Sequence, residues 1–119
     1  MVSEHSEPEP EPQQERFEGE ADLMYHGMMQ PEEVALCRRA FEETVDRNTK
    51  PSAPMMYLAL DYLSHRVWSG DDVMVELRQL MQSTRSSWSQ WMRVNPHAAR
   101  QLREYVYEVV EVATAMEMF

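Results

Sequence analysis

The sequence predicts an all-α protein, a small bundle of four to five helices with a long C-terminal helix and a disordered acidic N-terminal arm. Three observations carry this expectation. Apolar residues recur at intervals of three and four over most of the chain beyond residue 30, the period of a helix that buries one face. The runs are separated by clusters of proline, glycine, serine, asparagine and aspartate, which end one helix and cap the next. The first 22 residues hold eight of the 21 acidic residues and three prolines, with almost no large apolar side chain to bury.

The arm comes first. Pro8-Glu9-Pro10-Glu11-Pro12 removes backbone donors, favours extended polyproline II geometry and sets like charges against one another. Glu4, Glu7, Glu9, Glu11, Glu15, Glu18, Glu20 and Asp22 face a single base, Arg16, so the arm carries a formal −7 of the total −10. The remaining residues, 13 acids against 10 bases, stand at −3. The arm is expected to act either as a solubilising tail, or as an acidic segment that reaches a basic surface on another protein or holds such partners off. Apolar side chains return abruptly over residues 21–29, where Asp22 is placed to cap a short turn and Gly27 to end it. That segment is expected to fold back onto the body or to serve as a short docking motif that orders on a partner. The division is therefore an arm over residues 1–22 and one helical domain over 23–119, long enough for a single modest core.

Gln30-Pro31-Glu32-Glu33 reads as a helix start, with proline in the first turn and acids where they complement the helix dipole. Val34, Cys37, Phe41 and Val45 then give the first helix, over about 31–47, its apolar face, with Glu43 and Arg47 as an outer i,i+4 pair. Turn chemistry fills 48–54. Met56, Leu60, Leu63 and Val67 mark a second helix over 54–68, apolar around much of its circumference and so expected at the centre. Ser69-Gly70-Asp71-Asp72 breaks it and caps a third, in which Val73, Leu77, Leu80 and Met81 face inward. A further element carries Trp88, Trp91 and Met92, and residues 72–94 read either as one bent helix or as two.

Asn95-Pro96 caps the last helix. Ala99, Leu102, Val106, Val109, Ala113 and Met116 follow at separations of 3, 4, 3, 4 and 3, a seam that keeps one stripe facing a partner. Valine and tyrosine between 105 and 112 also suit a strand, yet the adjacent pair Val109-Val110 breaks any alternation of faces, so helix is the better reading. The seam needs cover, from its own domain or from a second copy.

Reactive constellations are sparse. His5, His26, His65 and His97 are scattered, and the one candidate pair, Asp61 and His65 at i,i+4, lacks the third ligand that a metal site requires. With three glycines and no Gly-x-Ser-x-Gly, neither a phosphate-cradling loop nor a nucleophile elbow is present. Glu32-Glu33, Glu42-Glu43 and Asp71-Asp72 are explained as helix-start charge and solvated faces. Cys37, the lone cysteine, sits in an apolar stripe and reads as a buried inert thiol.

These features favour a non-enzymatic protein-binding module, a small acidic adaptor, chaperone-like or inhibitory protein, without cofactor or metal. Trp88 and Trp91 share one face of an otherwise polar segment, which reads first as core packing and second as a contact patch, since tryptophan and methionine suit contact surfaces. The expected contact residues are Trp88, Trp91 and Met92 together with Leu102, Val106, Val109 and Met116 of the terminal helix, and a homodimer through that helix is one expected outcome. The rival reading is an acidic decoy for a nucleic-acid-binding protein, which a nearly balanced body disfavours. Nucleic acid itself is not an expected partner, since no basic stripe exists to neutralise phosphates. No apolar run is long enough to cross a bilayer, no basic and apolar secretory leader opens the chain, and a reducing cytoplasm is the expected setting.

Overall fold

The computed structural model describes residues 29–46 and 48–117. Five α-helices form there: α1 Pro31–Val45, α2 Ala53–Trp68, α3 Met74–Thr84, α4 Trp88–Val94 and α5 Pro96–Glu117, with a single 3₁₀ turn, Arg85–Ser87, between α3 and α4. Among the described residues there is no strand, and no helix is long and apolar enough to cross a membrane. The acidic arm, the turn expected over 21–28, Arg47 of the expected Glu43–Arg47 pair, and Met118 and Phe119 lie outside the described residues.

Local chemistry sets each boundary. The Glu33 carboxylate accepts the Gln30 N–H at 3.1 Å, satisfying a donor that the first turn of α1 leaves over. α1 stops at Val45, two residues short of the expected 47, because Asp46 takes an extended backbone and its carboxylate accepts the Asn48 N–H at 3.0 Å. That side-chain turn competes with another helical bond and wins. α2 begins on Ser52, whose hydroxyl accepts the Met55 N–H at 3.3 Å, so Pro54 lies inside the first turn instead of opening it. Residues 72–94 resolve as two helices. The interruption falls on the run Ser83 to Ser87, where hydroxyl side chains bond the backbone and the chain tightens into a 3₁₀ turn. α5 is capped by Asn95, whose side-chain Oδ1 accepts the Ala98 N–H at 3.1 Å, and Pro96 fills the first turn.

The core is organised around α2. Met56, Ala59, Leu60 and Leu63 are fully enclosed, with Val67 nearly so, and α1, α3 and α5 all pack against this helix. Cys37, Ala40 and Phe41 supply the buried face of α1, and the Phe41 ring meets Tyr62 of α2 at 5.6 Å between centroids. Val73, Leu77 and Leu80 face inward from the α3 side as their spacing predicts, and α4 lies against α5. Two buried threonine hydroxyls are satisfied within their own helices: Thr44 donates to the Ala40 carbonyl at 2.7 Å and Thr84 to the Leu80 carbonyl at 2.8 Å.

The seam of α5 is covered by this chain itself. Ala99, Leu102, Val106, Val109 and Ala113 are buried, joined by Tyr105, which widens the stripe beyond the two positions per heptad of a coiled-coil edge. Met116 departs from the pattern. It is 40% exposed, so the enclosed part of the seam ends one turn earlier, at Ala113.

Since Leu60 is fully enclosed at the centre of α2, Leu60→Ala should lower unfolding stability by about 2–5 kcal/mol, whereas exposed Leu36→Ala should stay within about 0.5 kcal/mol. Urea titrations of the two variants, followed by far-UV circular dichroism, check the difference.

Candidate contact surface

The most constrained exposed feature is the corner between α2 and α3. Gly70 takes a positive φ of 91°, its N–H bonds the Val67 carbonyl at 2.9 Å, and the next N–H, of Asp71, reaches back to the Arg66 carbonyl at 2.9 Å. This is a Schellman ending, for which glycine is suited because its backbone enters the left-handed region without a Cβ clash. An apolar contact commonly ties the two ends of such a motif. Here an ion pair does so: Arg66 Nε donates to Asp71 Oδ2 at 3.2 Å, and Nη1 donates to Glu76 Oε2 of α3 at 2.6 Å. The guanidinium also lies 5.8 Å from the centre of the Tyr62 ring. The Glu76 hydrogen bond is the main reason the Arg66 pKa is raised, against the opposing effect of its partial burial, with Asp71 adding to it. Asp72 then accepts the Met74 N–H at 3.1 Å and helps start α3.

Two large apolar side chains stand on either side of this tied corner. Trp68, the last residue of α2, is 51% exposed, and Val75, the second residue of α3, is 64% exposed. Neither belonged to the expected contact set. Their signal in the sequence was weak, since Trp68 falls one residue past the buried Val67 at the helix end and reads as part of the same apolar run.

The expected contact residues are placed mostly inside. Trp91 is only 6% exposed, and its indole N–H donates to the Pro51 carbonyl at 3.3 Å, pinning α4 to the loop before α2. Trp88 meets Trp91 edge-on at 4.9 Å between centroids and is half-buried, as is Met92. Leu102, Val106 and Val109 are in the core, so of the seven only Met116 stands open on the surface. The Trp88–Trp91 spacing does bring the two rings together, and what they share is the fold's own packing.

Residues considered for chemistry are also placed. Glu33 caps α1, Glu42 pairs with Arg38 at 3.3 Å, and Asp71 and Asp72 serve the corner, so these acids are held by local structure. Asp61 is fully buried, and His65, one turn on, lines an open groove beside the start of α1. Among the described residues, no group of three or more His, Cys, Asp or Glu is placed to hold a metal ion. Cys37 is buried.

Asp61 instead accepts a hydrogen bond from the Tyr105 hydroxyl of α5, with Oδ1 at 2.6 Å, the short distance of a phenol donating to a carboxylate. Burial pushes the Tyr105 phenol well above its ordinary pKa, the Asp61 charge beside it adds to the rise, and the Ser64 hydroxyl pulls weakly the other way. The folded protein thus holds the neutral phenol more strongly than the unfolded chain does. The stability so gained is present below the ordinary tyrosine value of about 10 and is lost as pH rises from there toward the folded value. Tyr105→Phe should cost roughly 1.5–3 kcal/mol at neutral pH, and the gap between wild type and variant should narrow above about pH 10. Urea midpoints measured across that range check both the size and the sign.

Compared with known proteins, the chain matches no family model, no curated protein and no solved structure, so its geometry is the ground on which function is argued.

Proposed function

We infer that this protein is a non-enzymatic protein-binding module, an adaptor or inhibitory protein that uses the α2–α3 corner as its contact point. The observation that carries the reading is Trp68, half-exposed on a corner already held by a Schellman ending and by Arg66. Tryptophan buries a large area when covered and is prominent among residues that dominate binding energy. A side chain mounted on an ordered corner gives up less freedom on association than one on a mobile loop. Val75 extends the apolar surface from the α3 side, and Asp71 with the carboxylates around it supplies a polar rim.

The contact surface thus moves from the expected Trp88, Trp91 and Met92 face to Trp68 and Val75, while the expected class of function is retained. A second copy of the chain is one partner this corner would accept, through an isologous contact in place of a shared α5 seam. The partner set separates these outcomes.

Full-length protein and its Trp68→Ala variant, immobilised in parallel, are offered the same cell extract. Retained proteins are identified by mass spectrometry and then rebound as purified components, including the protein itself. Trp68→Ala should stay folded with only a modest fall in its unfolding midpoint, because about half of the side chain is exposed, and should weaken at least one purified partner by about tenfold or more, the scale of a dominant contact residue. Equal affinities for every rebound partner would rule the corner out.

A further inference from the structure

A groove runs beside α1, lined among others by Met29, Val34, Arg38, Arg39 and one acid, Glu42, with His65 from α2. It has an apolar floor and a basic side. Arg38 is paired with Glu42, while Arg39 has no ion-pair partner among the described residues. Met29, where the described chain begins, is itself in the lining.

We propose that this groove is a docking site for the chain's own residues 17–25, Phe-Glu-Gly-Glu-Ala-Asp-Leu-Met-Tyr. The segment matches the groove in composition: Glu18, Glu20 and Asp22 for the arginine side, and Phe17, Leu23, Met24 and Tyr25 for the apolar floor. It is also within reach. Seven residues separate Asp22 from Met29 and span at most roughly 23 Å when extended, while Pro31 to Arg39 along α1 rises only about 12 Å. Tethering supplies the remainder of the argument: a short linker holds the segment at an effective concentration on the order of millimolar, so a contact far too weak to form between separate molecules is well populated within one. The rest of the arm, residues 1–16 with five acids and one base, adds attraction toward the same arginines.

The test uses the full chain carrying a nitroxide at Ala21→Cys, which leaves every acidic and apolar contact residue of the segment in place, attached under native conditions in which Cys37 is buried. Nuclear relaxation enhancement is read at the amides of Val34, Ala35, Arg38 and Arg39. Docking predicts strong enhancement there that falls severalfold in the Arg38→Glu, Arg39→Glu variant, whose two side chains are both exposed. Unvaried protein at about 1 M salt, where the screening length is about 3 Å, gives an independent measurement that does not depend on the variant folding; the enhancement should fall there too. A mixture of isotope-labelled chains without nitroxide and unlabelled chains with it should show none. Enhancement that survives both charge reversal and high salt would reduce the contact to mere tethering and overturn the proposal. Enhancement in the mixture would assign the groove to the arm of a second copy and overturn it as well.

Discussion

The arrangement depends on α2 having no side that it can leave to water. Met56, Ala59, Leu60, Leu63 and Val67 are enclosed, and Tyr57, Leu58 and Tyr62 are at least partly covered, so apolar surface runs most of the way round the helix. A helix of this kind is stable only when its neighbours exclude water from several directions. α1, α3 and α5 do so, and their own amphipathic stripes are used up in the process. That is why the long C-terminal seam is internal. Its apolar edge lies in the same core as the helix at the centre of the fold, and no second copy is needed to cover it.

A wholly apolar interface between α2 and α5 would specify burial without specifying register. The Tyr105–Asp61 hydrogen bond adds that information, because an enclosed carboxylate that loses its donor costs far more than a lost van der Waals contact. Sliding or rotating α5 on α2 by one residue would take the phenol away from the carboxylate while leaving most of the apolar contact intact. The ring of Tyr57, 5.0 Å from that of Tyr105, packs against the same junction. Trp91 does comparable work for the shortest helix. Its indole N–H bonds Pro51, and α4, seven residues long, has little other means of fixing its orientation.

Much of this was legible in the sequence because helix caps and apolar spacing are local signals. Asn95-Pro96, Ser69-Gly70 and Gln30-Pro31 all mark real boundaries, and the seam from Ala99 to Ala113 is the buried edge of α5. Periodicity says that a stripe is covered; it does not say by what. Trp88 and Trp91 could equally face a partner or the core, and only the position of Pro51, forty residues earlier in the chain, decides it. The Asp61–Tyr105 bond, spanning 44 residues, was invisible for the same reason, and the i,i+4 spacing of Asp61 with His65 suggested a different pairing. Trp68 was missed because one residue of helical rotation past Val67 turns a side chain from core to solvent, a finer distinction than apolar spacing resolves near a helix end.

Charge and shape converge on the last turn of α2. Three acids of the body are held in ion pairs, Glu42 on Arg38 and Asp71 and Glu76 on Arg66, so these three project little field beyond their own surroundings. The concentrated charge lies in the arm, and at physiological ionic strength its influence decays within about 8 Å. Docked as proposed, the segment would bring that charge to the groove that His65 lines. His65 and Trp68 are three residues apart on one helix, which makes them neighbours on its surface, with the corner-forming Arg66 between them in sequence. Whatever occupies the groove at His65 stands about one helical turn, roughly 5 Å, from the exposed indole. With the proposed segment docked in the groove, a partner that covers Trp68 would have to fit beside it or displace it, so the two proposed contacts would compete for the same few residues of α2.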